Sequence, residues 1–124
     1  MKTFKLLLIF VLLLPIVEIK AQNEIVVDEN QQLIEATKNC DYTAVSDFLK
    51  NGLTVNVKDE EGKTPLHWAV ICGNPDLIRL LLFYKAEVQF TDDKGMSALD
   101  YAKLFEQHEV INLLQSQVKE SISM

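Results

Sequence analysis

The chain matches itself, without a gap, when it is shifted by 33 residues. Gly62 then falls on Gly95, and Trp68 falls on Tyr101. Three alanines share one position of the repeat: Ala36, Ala69 and Ala102. A period of this length indicates stacked supersecondary units. Because one unit is too thin to bury its own apolar face, the stack as a whole must form the core.

One unit reads as two short helices followed by an extended loop. Thr64 is a predicted N-cap, and Pro65 suits the first helical position, where a missing N–H costs little. This helix is predicted to run to about Cys72 and to stop at Gly73. Asn74 is predicted to cap the second helix. The following segment, 84–94, alternates apolar and polar residues, which favours extended backbone.

Residues 59–91 form the most complete unit and carry the motif Asp59-x-x-Gly62-x-Thr64-Pro65-Leu66-His67-x-Ala69. This motif resembles an ankyrin repeat, of which 59–91 is the full copy. Segments 30–58 and 92–117 are similar to an N-terminal and a C-terminal copy. The resemblance implies an all-α fold, a solenoid of helix–turn–helix units joined by β-hairpin-like loops. Lys85 and Glu106 stand where the family usually has glycine.

The N-terminal segment predicts export. A basic start and an apolar run from Leu6 to Val17 precede Ala21, a plausible cleavage point. That run has 12 residues, whereas a membrane-spanning helix needs roughly 20. We therefore expect a signal peptide at 1–21, a linker at 22–29 and a tail at 118–124, with no stable membrane insertion after cleavage. The expected location is secreted or periplasmic, and an uncleaved anchor is the alternative.

The charge balance excludes some partner classes. The whole chain carries −6, and losing 1–21 removes three lysines and one glutamate, which gives about −8. A net-acidic domain without a basic stripe is poorly suited to nucleic acid or anionic membranes. We expect a protein partner and a monomeric chain.

No pattern predicts an enzyme, a cofactor or a metal site. Gly62-Lys63-Thr64 resembles the end of a phosphate loop, but Val57 stands where that motif needs glycine. Asp92 to Gly95 is expected to form a solvated turn. His67 lies one helical turn after Thr64, and Ser97 and Asp100 form a similar capping pair. The residues expected to be structural are Gly62, Thr64, Pro65, His67, Gly95, Ser97 and Asp100.

The two cysteines, Cys40 and Cys72, are 32 residues apart, one short of the repeat. Neighbouring helices pack about 8–10 Å apart, whereas a disulfide needs Cα atoms within about 7 Å. Two separate thiols are therefore favoured, although the one-residue offset leaves a bridge open. A thiol-based, redox-responsive protein is the alternative to a binding module.

The resemblance implies binding through the loop tips and the concave face of the first helices. The function expected is a non-catalytic, exported protein–protein interaction module of the adaptor, inhibitor or immunity type. The expected tip residues are Lys58, Glu60, Glu61, Lys63, Thr91, Asp93, Lys94 and Met96. The expected face residues are Lys38, Asn39, Ile71, Cys72, Leu104 and Phe105. Trp68 and Tyr101 are expected to pack in the core or at its edge.

Overall fold

The computed structural model describes residues 28–122 of the chain. The predicted signal peptide (1–21) lies outside the described residues, as does the predicted linker (22–29) apart from its last two positions. Six helices follow in order: α1 Glu29–Lys38, α2 Tyr42–Lys50, α3 Pro65–Cys72, α4 Pro75–Phe83, α5 Ala98–Leu104 and α6 His108–Ile122. Within 28–122 the only β pairing is an isolated antiparallel bridge between Thr91 and Ser97. The all-α prediction is confirmed.

The helices form two layers in a stack of three pairs. The first helices of the pairs (α1, α3, α5) pack against one another in sequence, and so do the second helices (α2, α4, α6). The core lies between the layers. Its fully buried side chains include Leu33, Leu66, Leu77, Ile78, Leu81 and Leu114. This is the solenoid that the repeat predicts.

Local side chains define where the helices begin. The Thr64 hydroxyl accepts from the backbone N–H of His67 (3.4 Å), and the Thr64 backbone N–H donates to His67 Nδ1 (3.0 Å). Ser97 and Asp100 form the same reciprocal pair at the start of α5. Such boxes satisfy N–H groups that have no partner within the helix. The predicted bounds of α3, Pro65 to Cys72, are confirmed.

The ends of the helices use left-handed backbone at repeating positions. Cys40 (φ 57), Gly73 (φ 71) and Glu106 (φ 55) share one position of the repeat, and Gly52 (φ 94) and Lys85 (φ 69) share another. Lys85 and Glu106 therefore keep the conformation that glycine adopts most readily. Their departure from the family pattern leaves the backbone path unchanged.

The first and last helices extend beyond the predicted bounds of the repeat region, 30–117. Asp28 caps α1, which begins at Glu29, so the last two positions of the predicted linker are the cap and the first residue of this helix. The last helix, α6, runs to Ile122. The predicted tail from 118 is therefore helical as far as the structure describes it.

Candidate protein-binding surface

Each of the last two repeats opens with a loop organised by an aspartate. Asp59 Oδ1 accepts the backbone N–H groups of Glu61 and Lys63, both at 2.9 Å, and its Oδ2 accepts the indole N–H of Trp68 at 2.8 Å. Burial acts to raise the pKa of Asp59, but these bonds outweigh it and hold the pKa below its ordinary value. The loop tip is thus fixed to the half-buried tryptophan.

Asp92 repeats this arrangement in the third repeat. Its Oδ1 accepts the backbone N–H groups of Lys94 and Met96, both at 3.0 Å, and its Oδ2 accepts the hydroxyl of Tyr101. Burial alone would raise its pKa, but the Tyr101 bond, the two backbone N–H groups and nearby Lys63 lower the pKa to about 2. The predicted solvated turn is present, with Asp93, Lys94 and Gly95 exposed, but Asp92 itself is buried and not solvated. The two loops are therefore structural copies of each other.

Adjacent loop tips are joined directly. The backbone N–H of Asp93 donates to the carbonyl of Glu61 at 2.9 Å. Gly62 lies under this contact at φ +78°, and a Cβ there would come within 2.6 Å of Asp93 Oδ1 and 3.0 Å of its backbone nitrogen. Only glycine fits this position without a shift of the neighbouring loop.

Lys63 is not a surface residue, and its predicted place among the exposed tips is wrong. Its side chain is 8% exposed, with Nζ 2.7 Å from Glu61 Oε2 and 3.6 Å from Asp92 Oδ2. The ammonium also lies 5.5 Å from the ring centre of Trp68 and 5.8 Å from that of Tyr101. The Glu61 bond raises the pKa of Lys63 against the opposing effect of burial. Lys63 therefore ties two repeats together.

His67 uses both ring nitrogens inside the structure. Nδ1 accepts from the Thr64 backbone, and Nε2–H donates to the carbonyl of Met96 at 2.9 Å, which joins α3 to the next loop. Burial lowers the pKa of His67 despite the Met96 bond. The neutral ring is thus a link between repeats, with neither nitrogen left over for a reaction.

Cys40 and Cys72 form a disulfide, with Cα atoms 6.0 Å apart. The preference for two separate thiols is wrong. Cys40 follows the end of α1 and adopts left-handed backbone, and this places it closer to Cys72 than the spacing of two packed helices. Since neither sulfur is a free thiol, Cys72 is not an unmodified contact residue. A thiol-based redox response needs such a bridge as its oxidised state, so the redox alternative stays a prediction.

The remaining predicted contact residues fall on two surfaces. Lys58, Glu60, Glu61, Asp93 and Lys94 are exposed at the loop tips, as is Thr91, while Met96 is half-buried. We call the second surface the first-helix face, and it consists of Ile71, Leu104 and Phe105. Leu104 is 62% exposed and Phe105 48% exposed. Ile71 is half-buried, and Phe105 stacks on the buried ring of Tyr101 at 6.2 Å.

A groove of about 490 Å³ lies between α1 and the loop of the second repeat. One wall carries Asp28, Asn30, Glu35 and Lys38, and the other carries Lys58, Glu60, Glu61 and Trp68. Sequence reasoning identified Lys58, Glu60 and Glu61 of the second wall as contact residues, but it placed Trp68 in the core or at its edge. Of the first wall it identified only Lys38. The signal that was missed is the spacing of three to four residues in the first helix, which places its groove-lining residues on one face. These residues are Asn30, Gln31, Ile34, Glu35 and Lys38.

The part of the chain that the structure describes contains neither a candidate membrane-spanning helix nor a cluster of metal ligands. No helix between 28 and 122 is long and apolar enough to cross a membrane. Over the same residues no group of three or more His, Cys, Asp or Glu side chains is placed to hold a metal ion.

Comparison with known proteins assigns the family. The family model described as ankyrin repeats (3 copies) matches residues 33–123. A Fowlpox virus protein described as an ankyrin repeat protein is 38% identical over 94 residues, 72% of this chain but only 28% of that protein. The Notch-regulated ankyrin repeat-containing protein of Xenopus tropicalis is 30% identical over 95 residues, 77% of this chain and 74% of that protein. The human palmitoyltransferase ZDHHC17 is 47% identical over 69 residues, 55% of this chain and 11% of the enzyme. The chain belongs to the ankyrin repeat family.

Proposed function

We propose that this protein is an exported, non-catalytic module that binds a protein partner, as an adaptor, inhibitor or immunity-type protein. Ankyrin repeats in general mediate protein–protein interaction, on the extended surface that stacked repeats create. The observation that carries the proposal is the first-helix face, where Leu104 and Phe105 stay exposed although the stack buries the apolar residues around them. Exposed apolar side chains beside polar ones are typical of an interaction surface.

The disulfide supports the exported location. Disulfides persist in oxidising compartments and are rare in the cytosol. The Cys40–Cys72 bridge and the signal-like segment at 1–21 are independent features, and both favour export. Intact-mass measurement of protein collected outside the cytoplasm tests this. We expect a chain that begins near Gln22 and lacks two thiol hydrogens, whereas a full-length, membrane-bound chain would favour the uncleaved anchor.

Partner capture tests the binding surface. Crosslinking in the native host followed by mass spectrometry should recover one enriched protein, and Phe105→Glu should abolish that enrichment. Phe83→Glu is the matched control, because Phe83 is also an exposed aromatic residue (76%) but lies in the other helix layer. Equal loss with both variants, or no enriched protein with the wild type, would contradict the proposal.

A further inference from the structure

The groove between the first two repeats has a strongly unbalanced charge. Five carboxylates and two ammonium groups line it. The carboxylates are those of Asp28, Glu35, Asp59, Glu60 and Glu61, and the ammonium groups are those of Lys38 and Lys58. Within residues 28–122, Asp28 and Glu60 form no ion pair. Two uncompensated carboxylates therefore face an open space of about 490 Å³.

The two lysines of the groove already have other partners than Asp28 and Glu60. Lys58 Nζ lies 4.8 Å from the ring centre of Phe90, and Lys38 Nζ pairs with Glu35 at 3.0 Å and lies 5.0 Å from the ring centre of Trp68. They cannot neutralise Asp28 and Glu60 without giving up these contacts. The negative potential of the groove is thus a fixed property of the folded chain.

Two lysine ammonium groups in or beside the groove each contact a carboxylate and the ring of Trp68. Lys38 is held by a carboxylate and an aromatic face, and Lys63 is held by Glu61 and the same aromatic ring. A cation over tryptophan gains from the charge distribution of the ring, and a carboxylate at its edge adds an ion pair. The structure therefore contains, within its own chain, two examples of the chemistry that the groove offers to a ligand.

We propose that this groove binds an extended, basic segment of a protein partner, whose lysine or arginine side chains pair with Asp28 and Glu60 beside Trp68. The inference rests on the proposed function in one respect, that the partner is a protein. Charge complementarity selects the segment, because Asp28 and Glu60 have no ion-pair partner within residues 28–122 and lie in a groove with an aromatic wall. An acidic segment would face like charge and be rejected.

The test uses an unlabelled peptide of alternating arginine and serine, with an alternating glutamate and serine peptide for comparison. The chain has a single tryptophan, and it lines the groove, so its emission reports occupancy directly. We expect the arginine peptide to change Trp68 emission in a saturable manner and the glutamate peptide to leave it unchanged. Unchanged emission with the arginine peptide, while calorimetry shows that it binds, would place binding elsewhere and overturn the proposal.

A pair of isosteric double variants separates the groove from general attraction to an acidic protein. Asp28→Asn with Glu60→Gln removes the two unpaired carboxylates, and asparagine still caps α1. Asp47→Asn with Glu87→Gln removes the same charge from exposed residues outside the groove. We expect about a tenfold loss of affinity for the first pair and less than about twofold for the second. Equal losses would overturn the groove assignment.

The two proposals fail in different ways. If the Asp28/Glu60 variant binds the peptide like the wild type while Phe105→Glu still abolishes partner capture, only the groove proposal is wrong. If the groove binds the peptide as expected but crosslinking recovers no protein, the proposed function is wrong and the groove chemistry stands.

Discussion

Asp92 shows how a single charge can be both buried and stabilising. Its side chain has 0% exposure, and it meets Lys63, the Tyr101 hydroxyl and two backbone N–H groups. Its pKa of about 2 lies below the ordinary 3.8. The carboxylate therefore contributes stability that is present above about pH 4 and is lost as the pH falls toward 2.

Replacing Asp92 by asparagine should destabilise the fold. The change removes the charge that faces Lys63 and leaves that buried ammonium with Glu61 as its only ion-pair partner among residues 28–122. We expect the free energy of unfolding, measured by urea titration, to fall by about 2–4 kcal/mol. Asp93→Asn is the control, because Asp93 is exposed next to it, and the expected change is within about 0.5 kcal/mol. Similar losses in the free energy of unfolding for both variants would show that the buried contacts of Asp92 stabilise the fold no more than an exposed carboxylate does.

His67 makes stability depend on pH near neutrality. The unfolded chain has an ordinary histidine pKa of about 6.5, and burial lowers the pKa in the folded protein. The unfolded state therefore binds more protons as the pH drops below about 6.5. The free energy of unfolding should fall from pH 6.5 to 5.5, by at most about 1.4 kcal/mol per pH unit.

Urea titrations at a series of pH values measure this slope. His67→Gln should remove it, at the cost of a lower stability throughout. His108→Gln should retain it, since His108 is exposed at the start of α6. A wild-type stability that stays flat over this range would contradict the assignment to His67.

The turn after α4 contains a residue in strained backbone, and replacing this residue by glycine should relieve the strain. Lys85 adopts φ 69, a conformation that costs a residue with a side chain roughly 1 kcal/mol relative to glycine. Its carbonyl accepts from the Asn56 side chain at 3.2 Å, and glycine would keep that bond. Lys85→Gly should raise the free energy of unfolding by about 0.5–1 kcal/mol in a urea titration. Lys85→Ala, which removes the same side chain without freeing the backbone, should give no such gain.

The disulfide links α1 to α3 and so joins the first repeat to the second. Closing a chain segment of 32 residues restricts the unfolded state by about 3–4 kcal/mol on the chain-entropy estimate. Replacing Cys40 and Cys72 together by serine should lower the free energy of unfolding by about that amount. A dithiol reductant should destabilise the wild type and leave the double variant unchanged. Equal stability of the oxidised and reduced wild type would contradict this.

The repeat period made the architecture predictable, and local chemistry made the helix starts predictable. Thr64 with His67, and Ser97 with Asp100, act across one turn of chain, so the residues that decide the cap are neighbours in the sequence. Ile71, Leu104 and Phe105 could be placed on a face in the same way. What repeats at 33 residues can be read from the chain alone.

The features that were not predictable depend on contacts between repeats. Lys63 is buried because Asp92 and Tyr101 of the next repeat enclose it, and its neighbours in the sequence do not reveal this. The disulfide depends on the left-handed backbone at Cys40. The aligned Gly73 indicates that conformation, but the 6.0 Å approach of the two Cα atoms depends on how two repeats pack, which neighbouring residues in the sequence do not reveal. The groove likewise needs walls from two repeats, of which only one carries the family signature.

The bridge between Cys40 and Cys72 also determines how the molecule bears a mechanical load. If the chain is pulled from its two ends, force passes from the end of α1 directly to the end of α3, and both α2 and α3 lie in a closed loop that carries no tension. The extension released on full unfolding is therefore shorter by about 110 Å, the reach of the 32 bypassed Cα-to-Cα steps at roughly 3.3–3.6 Å each. Single-molecule stretching with and without reductant measures this difference. A partner that pulls on the oxidised protein would strain the third repeat along its full length, while α2 and α3 stay out of the line of force.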